Sequence, residues 1–136
     1  MAENTLKLEV IAPERVFYKG DVTFVEFCST EGDLGIYPNH ISLNSIIAPG
    51  VLRIHETNGT IREAALLSGF AEILSDRITI LAESVEWPDE IDTNRAREAK
   101  IRAERRLNGE NGEIDSIRAE LALRRSIIRL SITNKR

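Results

Sequence analysis

The sequence predicts two segregated modules, an N-terminal antiparallel β-sandwich followed by a C-terminal α-helical hairpin. Three observations carry this. Period-two alternation with frequent turn signals is confined to residues 1–86, and repeats at helical spacing are confined to 91–136. The charge changes sign near the same place: residues 1–90 hold six Lys and Arg against fifteen Asp and Glu, whereas 91–136 hold twelve against seven. An acidic sheet module (1–86), a linker (87–90) and a basic hairpin (91–136) are therefore expected, the basic part meeting an acidic partner.

Each strand has its own signal. Leu6, Leu8 and Val10 alternate with Lys7 and Glu9, as in a half-buried strand. VTFVEFC at 22–28 is rich in β-branched and aromatic residues and suits a strand near the core. Further strands fit VLRIHE (51–56), TIREAALL (60–67), FAEIL (70–74) and RITILAE (77–83). Asn58-Gly59 predicts a two-residue hairpin turn with both residues at positive φ. Ser75-Asp76, Pro49-Gly50 and the Gly32/Gly35/Pro38 stretch supply the remaining turns.

After Trp87-Pro88 the period lengthens. Asp89, three residues before Asp92, resembles an acidic capping box. Ala96, Ala99, Ala103 and Leu107 form a narrow seam on the first helix, which Asn108-Gly109 and Gly112 break. Ile114, Ile117, Leu121, Ile128 and Ile132 form the expected stripe of the second. A loop this short makes the two helices antiparallel neighbours.

The composition bounds the chemistry. With 136 residues, 42% hydrophobic and 29% charged, the chain has globular composition, and no apolar run reaches the length of a spanning helix. MAENTLKLEV lacks the apolar region of a secretion signal. A lone cysteine, Cys28, excludes an internal disulfide and any Cys-based zinc site; it reads as a core residue in a reducing, cytosolic compartment. His40 and His55 are isolated, His55 reading as a surface residue. Neither a phosphate-binding glycine loop nor a nucleophile elbow is present, so the chain is expected to carry no reaction of its own.

The arginines of the hairpin sort into two kinds. Arg102, Arg118 and Arg124 each have an acid three or four residues away, an ordinary local helical pairing. No acid lies at that spacing from Arg125 or Arg129, which stand one turn apart. If Leu107 faces Glu113 across the turn, Arg95 lies opposite Arg125, and Asp92 lies near Ile128 and Arg129. Arg102 then sits about 10 Å along the helix from Arg95. Such a spread of cations suits a polyphosphate, although cations near a helix C-terminus also need no ligand. Asp92 has an equally ordinary reading as a helix-start carboxylate.

EGDLGIYPNH (31–40) resembles the loop signature of the epsilon subunits of bacterial and chloroplast ATP synthases. The likeness continues through LLSGFAEIL (66–74), IDTNRA (91–96), REAKIRAERRL (97–107) and ELALRRSIIRL (120–130). Ile41-Ser42 stands where Ala-Pro is common in the family, and Ser68 where the first of two glycines is usual.

The resemblance implies a non-catalytic rotor subunit of the ion-translocating complex, peripheral on the cytoplasmic face of the bacterial plasma membrane. Its sandwich would bind the gamma subunit and rest on the c-ring, with Glu31 toward the ring and His40 near gamma. Its hairpin would fold compactly or extend toward the alpha/beta catalytic head, where it would inhibit ATP hydrolysis. IDTNRA matches a motif with which some family members bind ATP in the compact form. By position that site comprises Glu86, Ile91, Asp92, Arg95, Ala96, Arg102, Arg125 and Arg129. ATP enters as a regulatory ligand, and no cofactor is required. A nucleic-acid-binding adaptor using the basic hairpin is the competing class; the absence of aromatic residues after Trp87 for base stacking counts against it.

Overall fold

The computed structural model describes residues 4–109 and 116–133. Two compact units divide the chain, Met1–Glu86 and Trp87–Arg136.

Among the described residues the first unit contains seven strands: β1 (Leu6–Ala12), β2 (Arg15–Ser29), β3 (Gly32–Ile36), β4 (Leu43–Ile47), β5 (Gly50–Glu56), β6 (Ile61–Ile73) and β7 (Arg77–Glu86). Every pairing is antiparallel except that of β1 with β7, the first and last strands, which run parallel. Hydrogen bonding follows β2–β1–β7–β6–β5 and returns to β2, so two layers form a sandwich through strands they share. The shared strands are the long ones. Arg15 to Val22 of β2 pair with β1, while its second half pairs with β5 and β3. In β6, Ile61–Leu66 pair with β5 and Gly69–Ile73 with β4.

Each crossing coincides with a register shift, at Val22/Phe24 in β2 and between Leu66 and Gly69 in β6. Gly69 lies at φ 148, and a Cβ there would sit 2.9 Å from Ala82 Cα and collide with the Leu81 carbonyl oxygen. A strand can pass from one layer to the next at this point because nothing but glycine stands in the bend. For the same reason the segments read as TIREAALL and FAEIL form one strand and not two. The core between the layers is aliphatic: Leu6, Leu8, Val10, Leu52, Ile54, Leu66, Ile78 and Ile80 are all at most 1% exposed.

Several local expectations are corrected. Gly32–Ile36 form strand β3 against Val25–Ser29, where glycine and proline predicted only turns. Leu43–Ile47 and the first residues of β2 also form strands that no sequence signal marked. At Asn58-Gly59 the hairpin is present, but only Gly59 has positive φ, at 89. Gly59 N–H donates to Glu56 O at 3.1 Å and Glu56 N–H to Thr60 O at 2.8 Å, a wider turn than the two-residue form. Asn58 Oδ1 accepts the Thr60 N–H at 2.9 Å, which stabilises that geometry.

The second unit opens with a 3-10 turn, Pro88–Glu90, closed by Trp87 N–H donating to Glu90 Oε1 at 2.9 Å. Helix α1 runs Thr93–Leu107 and α2 Ser116–Thr133. Asp92, and not Asp89, is the N-cap. Asp89 is spent in the 3-10 turn because Pro88 sets an initial helical φ that the chain leaves again at Ile91.

The buried positions are Ala96 and Ala103 on α1 and Ala119, Ser126 and Ile132 on α2. Ala96/Ala103 and Ala119/Ser126 each share one helix face, being seven residues apart, and small side chains there let two backbones approach closely. The α2 seam centres on small residues, like that of α1, and Leu121 and Ile128 of the expected stripe are half-buried. Ile117 of that stripe is 80% exposed. Ile132, on the same stripe, is buried in the last turns of α2, the helix that also packs on the 3-10 turn. Ile114, the break at Gly112 and the facing of Leu107 with Glu113 lie outside the described residues.

Candidate functional site

In the hairpin, Asp92 and the arginines differ in how far they are committed. Asp92 is exposed, and its Oδ1 accepts the N–H of Arg95 at 3.0 Å, satisfying one of the orphan donors of the first helical turn. Ile91 precedes it, half-buried, and Ala96 follows in the seam at 4% exposure. The Arg95 and Arg102 side chains are exposed, two turns apart on α1. On α2, Arg125 and Arg129 are half-buried one turn apart. The Arg125 Nε is buried without a hydrogen-bond partner among the described residues. A buried guanidinium N–H left unmade costs about 1–3 kcal/mol, so the position favours an acceptor. Glu86 is the half-buried last residue of β7, in the first unit.

Glu31 and His40 lie at opposite ends of β4. Glu31 is exposed in the β2–β3 turn, its N–H donating to Ser29 Oγ at 3.1 Å, and Thr30 N–H donates to Ile46 O at 3.0 Å near the end of β4. His40 precedes β4, in the loop whose Asn39 N–H donates to Ser75 O at 2.7 Å in the β6–β7 turn. The His40 Nδ1 lies 2.7 Å from Ile41 O, so that nitrogen carries the proton.

One layer of the sandwich carries an apolar row that no sequence signal had marked. Ile46 pairs with Phe70, Phe70 with Leu81, Leu81 with Ile11 and Ile11 with Val16. Directly paired residues share a face, so the five form one line across β4–β6–β7–β1–β2. The line faces out: Ile46 is 59% exposed, Phe70 41%, Leu81 51% and Val16 55%. The line two residues along is polar, Asn44–Glu72–Thr79–Glu9–Lys19. Beyond it a shallow groove of about 390 Å³ mixes Lys7, Lys19 and Arg77 with Glu9 and Asp21, a near balance of charge that selects no ion.

Comparison with known proteins decides the family. The model of the ATP synthase delta/epsilon chain β-sandwich domain matches residues 5–88, and that of the long α-helix domain matches 89–134. The ATP synthase epsilon chain of Syntrophomonas wolfei is 41% identical over 135 residues, 99% of this chain and 98% of its own. That of Halalkalibacterium halodurans is 43% identical over 132 residues, 96% and 98% respectively. The chain belongs to the ATP synthase delta/epsilon family, as an epsilon chain. Among solved structures, a chain of the Euglena gracilis mitochondrial ATP synthase shares the fold at TM-score 0.76 and 19% identity, covering 89% of this chain and 76% of its own.

Two other residues of this epsilon chain differ from their sequence reading. His55 is half-buried: its Nε2 lies 3.0 Å from Glu26 Oε2, and its ring meets Phe24 edge-on at 5.0 Å. Cys28 is half-exposed and not core, because outward positions of β2 alternate with buried Val25 and Phe27. Tyr18 donates to Glu56 Oε2 at 2.7 Å; burial, then that hydrogen bond, push its pKa up to about 12. Among the described residues no group of three or more His, Cys, Asp or Glu is placed to hold a metal, and no helix is long and apolar enough to cross a membrane.

The apolar row had one legible trace. Phe70 and Leu81 occupy positions where alternation with buried Ala71 and Ile80 calls for polar residues. Only the register places them side by side.

Proposed function

We propose that this epsilon chain is a non-catalytic central-stalk subunit of a bacterial rotary ATP synthase. Its sandwich holds the gamma subunit to the c-ring, and its hairpin restrains ATP hydrolysis by meeting the alpha/beta head. The observation that carries the docking role is the exposed line Ile46–Phe70–Leu81–Ile11–Val16. Four of its residues are exposed and Ile11 is half-buried between them, and a protein surface rarely leaves such an apolar line without a partner to cover it. Glu31 and His40, at opposite ends of β4, suit two separate contacts, the first with the ring and the second near gamma. Complex assembly is the whole of the membrane association, on the cytoplasmic face.

The hairpin carries the regulation. Its net positive charge steers it toward acidic segments of the head, and its hold weakens with salt. ATP binds the compact state better than the extended one and so shifts the hairpin toward compaction. Arg95, Arg102, Arg125 and Arg129 hold the phosphates by charge-assisted hydrogen bonds, and Arg125, with its unmet buried Nε, is the central contact. Asp92 and Glu86 hold the adenosine portion or orient the arginines, and Ile91 with Ala96 shapes the apolar side.

The test is truncation after Glu90 in the cognate complex. ATP hydrolysis should rise while assembly stays intact. Unchanged hydrolysis would sink the inhibitory role, and failed assembly with gamma would show that the sandwich alone does not dock.

A further inference from the structure

The apolar row has a frame, and the frame specifies what lies on it. On the side toward the strand starts of β1 and β7, Glu9 and Glu72 stand in the adjacent line. On the opposite side, Glu83 is exposed two residues beyond Leu81 on β7, where Ala82 points inward. Acids thus flank the middle of the row, Phe70–Leu81–Ile11, on both sides. Lys19 pairs with Glu9, and Lys7 and Arg77 lie one line further out, so Glu72 and Glu83 carry the acidic frame. The row is one residue wide and crosses five strands, about 19 Å at the spacing of neighbouring strands. An α-helix spans that length in about 13 residues and presents a stripe of similar width at three- and four-residue steps.

We infer that the occupant of this face is a basic amphipathic helix of the partner subunit, lying across the strands. Its apolar stripe covers Ile46, Phe70, Leu81, Ile11 and Val16, and Lys or Arg on its two shoulders meet Glu72 and Glu83. The inference rests on the docking role proposed above and adds the chemistry of the docked segment. A β-strand fits less well. It would present alternate residues at a period of about 6.8 Å, and the row, being transverse to the strands, offers it no backbone to pair with. An acidic segment would be repelled by Glu72 on one side and Glu83 on the other, and a neutral one would leave both without a counter-charge.

The test uses the full chain and its cognate gamma subunit. A Glu72→Gln/Glu83→Gln variant and its Lys counterpart are compared with Phe70→Asp, each checked for native circular dichroism. At low salt the neutralised variant should bind gamma several-fold more weakly and the Lys variant at least about tenfold more weakly, and both differences should shrink toward about 0.5 M salt. A photoreactive phenylalanine placed at Leu81 should crosslink to gamma residues spaced three, four or seven apart, with Lys or Arg between them. If Phe70→Asp abolishes binding while the charge variants bind normally at every salt concentration, the basic helix is wrong and the docking face stands. Crosslinks at every second residue, or to a second copy of this chain, also overturn the helix. If Phe70→Asp and the charge variants all bind as the parent does, the docking role of this face falls, and the inference with it.

Discussion

The carboxylate of Asp92 and the backbone N–H of Arg95 are joined at 3.0 Å, so one hydrogen bond starts the helix that carries Arg95 and Arg102, two of the proposed phosphate contacts. Removing it should act on folding first. Asp92→Ala should cost the hairpin about 1 kcal/mol, and Asp92→Ser or Asp92→Asn only a few tenths. Thermal unfolding followed at 222 nm reads this directly. If Asp92→Asn weakens ATP binding as much as Asp92→Ala does, the charge contacts the ligand; if it binds normally, Asp92 serves only as the cap.

Arg125 and Arg129 decide the nucleotide site. Calorimetric titration of ATP into the full chain should give binding that an Arg125→Ala/Arg129→Ala variant loses by at least about tenfold. Equal binding by the two proteins would leave the buried Arg125 Nε without a role in nucleotide recognition.

Gly69 tests the crossing of β6 between layers. Gly69→Ala places a methyl group against Leu81 O and Ala82 Cα at a φ that L-residues avoid. The expected loss is about 2–4 kcal/mol in urea unfolding of the sandwich. Gly59→Ala, at positive φ but with nothing within 4 Å, should cost clearly less. Equal losses at the two sites would mean that the close contact at Gly69 adds nothing to its backbone strain.

The hairpin seam is tested by volume. Ala103, 1% exposed, has no room for a larger side chain, and Ala103→Leu should destabilise the hairpin by about 1–3 kcal/mol. Ile117→Gln, at an 80% exposed site, should change stability by less than about 0.5 kcal/mol. The reverse order would place Ile117, and not Ala103, in the helix interface.

Tyr18 gives a pH signature. Its pKa is raised from 10.0 to about 12 by burial and by the hydrogen bond to Glu56. The folded state therefore holds this proton more tightly than the unfolded state does. The resulting stabilisation is complete below pH 10 and declines as pH rises toward 12. Glu56→Gln should lower the Tyr18 transition in a phenolate absorbance titration and reduce the loss of stability across that window. An unchanged transition would assign the whole shift to burial.

Much of this protein was decided by local chemistry. Alternation at Leu6–Val10 and Arg77–Glu83 marked strands because one face of each meets the core. The small-residue repeat at Ala96 and Ala103 marked a close-packed helix because only that spacing keeps alanines on one side. Trp87-Pro88 and the reversal of charge marked where the strand period gives way to the helical one, and the segments from EGDLGIYPNH to ELALRRSIIRL carried the family. What sequence could not resolve depends on residues far apart in the chain. Gly32–Ile36 and Leu43–Ile47 became strands because β2 and β6 offered them edges, which overrode weak local propensity. Asp92 took the cap from Asp89 once Pro88 had closed a turn of its own. The apolar row exists only in the register: Ile11, Val16, Ile46, Phe70 and Leu81 come from five strands, and no local pattern states which outward residues will stand in line.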